Sequence, residues 1–115
     1  MKKRASINNE LPRRYEVVTA GSFRAEFDRI LDYISTNWWE TSTENFRTAV
    51  WRKIHGLDLF PNGYRKWPGT NFRYCLVWDY LIFFQVDEAR DRVIVVKIYH
   101  AARDLESLLN DKEEK

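Results

Sequence analysis

The chain has 115 residues, 44% apolar and 31% charged, with 19 Lys+Arg against 17 Asp+Glu and a formal net charge of +2. That length suits one compact domain whose core needs no disulfide or metal staple. With only four glycines and three prolines, the composition excludes a disordered, collagen-like or low-complexity chain.

In chain order, Glu16-Val17-Val18-Thr19 is a short β-branched run stopped by Ala20-Gly21. Ser22 is then placed to cap a helix carrying Phe23, Phe27, Ile30, Leu31, Ile34 and Trp38 on one face. These offsets trace a single helical stripe. Thr41-Ser42-Thr43-Glu44 matches a capping box, and Phe46, Val50, Ile54 and Leu57 continue behind it at helical spacing. This second helix should end near Gly56, before Pro61. Pro61 to Asn71 reads as an ordered loop with two prolines and two glycines.

Three strands follow. Phe72 to Trp78 alternates, Tyr80 to Val86 is almost wholly apolar as in a strand covered on both faces, and Val93 to Tyr99 is β-branched. Their short links predict an antiparallel meander. Ala101 to Asn110, with Leu105, Leu108 and Leu109, reads as a terminal helix. The predicted fold is α+β, in the order β-α-α-β-β-β(-α), with a helical hairpin on a four-stranded, mainly antiparallel sheet. Five Trp, six Tyr and seven Phe at these periodicities belong mostly to its core.

The net charge is unevenly spread. Residues 1–14 hold five cations and one carboxylate, whereas 15–110 hold twelve cations and thirteen carboxylates. The expected organisation is a flexible basic arm over 1–14, one domain over 15–110 and a charged tail over 111–115. A nucleic-acid binder concentrates positive charge on its folded body, and this body has no excess. Cys75 is the only cysteine, so no internal disulfide forms and a reducing, cytoplasmic setting is expected. Lys2-Lys3-Arg4 has no apolar run behind it to make a signal peptide. The block Tyr74 to Val86 is too short and too polar to cross a bilayer.

One set of residues runs through the whole body: Phe27, Ile30, Tyr33 and Ile34, then Leu57, Pro61 and Tyr64. It continues with Phe72-Arg73-Tyr74 and Tyr80-Leu81-Ile82-Phe83-Phe84, and closes on Ile98-Tyr99-His100-Ala101-Ala102-Arg103-Asp104. In order and spacing this set resembles the RelE/ParE superfamily of toxins from type II toxin–antitoxin pairs. The closing His-Ala-Ala-Arg-Asp is most similar to the ParE and plasmid-stabilisation branch. Residues 1–14 and the Trp38-Trp39 junction depart from the pattern.

The resemblance implies one of two activities. ParE-like members bind DNA gyrase and trap its cleaved-DNA complex, whereas RelE-like members cut messenger RNA in the ribosome. Both are neutralised by a cognate antitoxin, and neither needs a cofactor or metal. Cleavage by 2′-hydroxyl attack requires a proton acceptor, a proton donor and a cation for the phosphorane. Under the RelE-like reading Arg73 steadies phosphate and His100 or Tyr99 carries the proton. The structural alternative is that Arg73 and His100 tie strand ends to the terminal helix. His55, beside Lys53 at the end of the second helix, has the position of a dipole-complementing cation.

The loop Tyr64-Arg65-Lys66-Trp67 interleaves cations with aromatics, as a grip for gyrase, antitoxin or nucleic acid would. Arg103 is a further candidate for pairing with an acidic partner group. No His/Cys/Asp/Glu spacing suggests a metal site. On balance the sequence favours the gyrase-directed, ParE-like reading over the ribosome and messenger RNA.

Overall fold

The structure is a computed structural model that describes residues 13–104. Strand β1 (Glu16–Thr19) leads into helix α1 (Gly21–Asn37) and helix α2 (Glu40–His55). Strands β2 (Arg73–Val77), β3 (Tyr80–Asp87) and β4 (Arg92–His100) follow. A further helix opens over residues 101–104, and the rest of the predicted terminal helix lies outside the described residues. The sheet order is β1-β4-β3-β2, parallel between β1 and β4 and antiparallel elsewhere. The predicted α+β order and mainly antiparallel sheet are those observed.

The helical stripes form one layer of the core. Phe23, Phe27, Ile30, Leu31 and Ile34 of α1 and Phe46, Val50 and Ile54 of α2 are buried. They meet Ile82 and Phe84 of β3 and Val93, Val95 and Ile98 of β4. Within this layer Phe23 stacks on Phe27 at 5.5 Å, and Trp51 sets its edge against both rings. Edge-to-face contacts of this kind add to the burial of so much aromatic area. Trp38 departs from its predicted stripe. Helix α1 ends at Asn37, and Trp38 takes an extended conformation that leaves its indole 61% exposed.

Both predicted caps are replaced by tertiary contacts. Helix α1 starts one residue before Ser22, and the Ser22 hydroxyl donates instead to the Val96 carbonyl at 2.7 Å. Val96 is the extra residue of a bulge, since Phe83 pairs with Lys97 while Phe84 pairs with Val95. Bulged residues lose a ladder partner, and Ser22 supplies one. Helix α2 begins at Glu40, with Trp39 at its cap and no side-chain capping bond, so Thr41 lies inside the first turn. The capping-box geometry therefore does not form. Thr43 is pressed into the core at 6% exposure, and its hydroxyl has no partner.

Of the arm expected over 1–14, only Arg13 and Arg14 lie within the described residues, and both are docked on the body. Arg13 donates from Nε to Asp91 at 2.7 Å and from its terminal nitrogen to the Glu88 carbonyl at 2.7 Å, and lies over the Tyr15 ring. Arg14 pairs with Asp58. Residues 13 and 14 are docked because the β3–β4 turn and the segment after α2 present carboxylates to them. Tyr15 and Asn62 also donate to the Glu88 carboxylate.

These contacts, Asn62 first, then Tyr15 and the Arg13 charge, hold the Glu88 carboxyl below its usual range. A depressed folded-state pKa stabilises above the unfolded value and is lost as pH falls through the folded one. Acid titration of the wild type below about pH 4 should therefore lower its stability more steeply than that of Glu88→Gln, read by urea unfolding at each pH. Thr43→Val, which keeps the shape and removes the unpaired hydroxyl, should raise the unfolding free energy by about 1 kcal/mol in the same assay.

Candidate functional site

The sheet has two differently covered faces. Opposite the helices, Leu81 and Phe83 are buried among Trp67, Phe72, Tyr74, Val96, Tyr99 and Ala101. Strand alternation produces this second layer: Tyr74, Leu81, Phe83 and Tyr99 point away from the residues that meet the helices. Trp67 comes from the loop and sets its edge against Tyr74 and Phe83, both at 5.5 Å. The loop is held by β2 itself, with Trp67 N–H donating to the Phe72 carbonyl and Tyr74 N–H to that of Arg65. Tyr64 turns the other way, against Phe84 at 5.7 Å. Tyr64 and Trp67 thus anchor the loop on opposite faces, and Arg65 and Lys66 between them remain exposed.

Arg73 and His100 are not brought together. Register places Arg73 opposite Phe84 and His100 opposite Tyr80, four residues along β3 or about 13 Å, with β3 between their strands. Arg73 donates to the Tyr64 carbonyl at 2.6 Å. It lines a polar cleft of about 580 Å³ with Lys66, Asn62, Asn71 and Gln85. Carboxylates of Asp87 and Glu88 share that cleft, already paired with Arg90 and Arg13.

His100 sits at the start of the last helix. Its Nδ1 accepts from the Arg103 backbone N–H at 3.0 Å, and the Asp104 carboxylate accepts from the His100 backbone N–H at 2.8 Å. This is a reciprocal cap that places the proton of the neutral ring on Nε2. The ring also stands edge-on to Tyr80 at 5.1 Å. Partial burial opposes ionisation of Asp104, yet the Arg103 and His100 hydrogen bonds hold its carboxyl below the usual range.

Tyr99 points to the opposite face and packs on Phe83 at 5.7 Å. Arg103 pairs with Asp104 at 3.2 Å. Together with Tyr99 it lines a separate cleft of about 310 Å³, where Glu26, Arg29 and Lys97 also lie. Lys97 interrupts the β-branched run Val93 to Ile98 as its one cation, a signal in the sequence that no motif marks. Glu26 and Arg29 look like a solvated helix face in the sequence, and only packing of α1 beside β4 brings them here. Arg65, Lys66 and Arg73 therefore stand at the β2 edge, and Arg103 beyond the β4 end. Among the described residues no group of metal-ligating side chains converges, and no helix is long and apolar enough to cross a membrane.

A two-helix hairpin on a four-stranded sheet of this order is the fold of two solved toxin structures described below. Residues 17–105 match the family described as ParE toxin of the type II toxin–antitoxin system parDE, and the chain belongs to that family. Two solved structures share the fold. The chromosomal ParDE system from P. aeruginosa aligns at a TM-score of 0.68 and 13% identity, over 76% of this chain and 97% of that one. A mutant of E. coli toxin RelE in the free state aligns at 0.54 and 14%, over 82% and 92%. No curated protein matches in sequence.

The cap geometry makes a separable forecast for His100. His100→Ala should cost about 1 kcal/mol of stability, and His100→Asn, which retains a capping acceptor, much less. Thermal unfolding of the two variants measures the difference.

Proposed function

We propose that this protein is a ParE-like toxin that inhibits DNA gyrase, makes its contacts by protein–protein recognition and is neutralised by a cognate antitoxin. The observation that carries the reading is the separation of Arg73 from His100. RNA cleavage needs its cation and proton carriers within hydrogen-bond reach of one phosphate, and here His100 Nδ1 is also committed to a cap. Membership of the ParE family and an aromatic sheet face, suited to apolar partner surfaces, support the same reading. Arg65 and Lys66 are the exposed contacts assigned to the target or the antitoxin, on a loop fixed by Tyr64 and Trp67. Arg103 is assigned to the same role beyond the end of β4.

Purified protein should inhibit supercoiling by gyrase and accumulate cleaved DNA in the presence of the enzyme. Arg65→Glu/Lys66→Glu should weaken that inhibition by about tenfold, a change of about 1.4 kcal/mol, without lowering the melting temperature. Absence of any gyrase effect, together with ribosome-dependent messenger RNA cleavage that Arg73→Ala abolishes, would establish the RelE-like activity instead.

A further inference from the structure

One end of the domain exposes aromatic rings that the core does not absorb. Tyr33, Trp38, Trp39 and Trp78 are each more than half exposed, Trp39 to 80%. They gather where the helical hairpin passes over the β2–β3 turn. Trp39 caps α2 in line with Thr43 and Phe46, four and seven residues further on. The Phe46 ring in turn touches Trp78 at 5.1 Å and Tyr80 at 5.0 Å. Burial chiefly raises the Tyr80 phenol; Arg103 opposes that shift, and Tyr33 and Asp79 add to it. Those groups therefore stand around one ring.

Trp78 is held there against its own backbone preference. Val77 pairs with Tyr80, so Trp78 and Asp79 alone join β2 to β3. A two-residue hairpin link suits Gly, Asn or Asp, yet Trp78 occupies this one with φ of 54°. Bulky side chains are disfavoured in that region, and strain of this kind gathers at functional sites. The Trp38-Trp39 junction, for its part, departs from the toxin pattern. Charge around the rings is one-sided. Glu40 and Asp79 are exposed, and neither has an ion pair among the described residues. Arg29 and Arg47, one helical turn from Tyr33 and Thr43, are taken by Glu26 and Glu44, and Arg103 by Asp104.

We propose that this tip captures a basic segment of a partner protein, whose Lys or Arg side chains lie over the exposed indoles and meet the Glu40 and Asp79 carboxylates. Indole is the ring that attracts a cation most strongly, and Trp is enriched among the residues that dominate protein interfaces. Charge disfavours the other occupants. The phosphates of a nucleic acid or of an anionic membrane would face the two carboxylates. Two-fold pairing of tips would bring the carboxylates of both copies together, where like charges repel. Neither Arg65 and Lys66 nor the Arg103 side chain takes part, so the tip stands or falls independently of the gyrase reading.

The test is an NMR titration of the full chain, followed through the indole N–H signals of its five tryptophans. The probe is a blocked octapeptide of alternating Lys and Val. It should shift the signals of Trp38, Trp39 and Trp78 and leave those of Trp51 and Trp67 in place. Trp38→Ser/Trp39→Ser and, separately, Glu40→Gln/Asp79→Asn should each weaken binding by about tenfold, with the fold checked by unchanged amide signals elsewhere. A Glu-Val peptide of equal length should bind about tenfold less tightly or worse, and added salt should weaken the Lys-Val complex. The proposal is overturned by no shifts at millimolar peptide, by shifts centred on Trp51, Trp67 or the Arg65–Lys66 loop, by equal binding of the Glu-Val peptide, or by either double variant binding as the wild type does. It also fails if an octanucleotide RNA occupies the same indoles more tightly, or if those signals move on dilution of the protein alone, the mark of a second copy.

Discussion

Everything in this domain depends on the double-sided burial of β3. Tyr80, Leu81, Ile82, Phe83 and Phe84 are consecutive and all buried, and consecutive strand residues face opposite sides. No single layer can cover them. The helical hairpin buries Ile82 and Phe84, and a separate layer of loop and strand aromatics buries Leu81 and Phe83. β3 must therefore be central, and the order β1-β4-β3-β2 places it between two antiparallel neighbours.

That constraint also distributes the polar groups. The loop after α2 has to carry Trp67 over the second face, which aligns it along β2 and leaves Arg65 and Lys66 outside. It reaches only to Tyr74, so among the described residues the edge beyond has no backbone partner. At the other side, the bulge at Val96 turns β4 so that Lys97 opposes Phe83, and Ser22 of α1 accommodates the displaced carbonyl. The clefts around Arg73 and around Arg103 are consequences of how the two apolar layers end.

The stripes of α1 and α2 and the three meander strands were readable because each is a repeat of apolar side chains at a fixed period. Ser22 and Thr41 carry a cap signal in the sequence that the fold does not use. A hydroxyl ahead of an apolar run satisfies a local rule, but the bulged Val96 offers its carbonyl to Ser22, and the chain enters α2 two residues earlier than the motif implies. Arg13 and Arg14 resemble Lys2, Lys3 and Arg4 in charge, which groups them with the basic arm in the sequence. Their partners Asp91, Glu88 and Asp58 are distant in the chain and adjacent only after folding.

Taken alone, the sequence determined the α+β order, the core stripes and the likeness to RelE/ParE toxins, since those depend on side-chain periodicity and on the order of motifs. Only tertiary structure decided that Arg73 and His100 lie on separate rows, which face of the sheet Tyr99 and His100 each take, and that Arg103 stands apart from Arg65 and Lys66. The reason is register. One residue of slip or one bulge reverses the face of every side chain beyond it, and nothing in the local pattern around Val96 announces where that bulge falls.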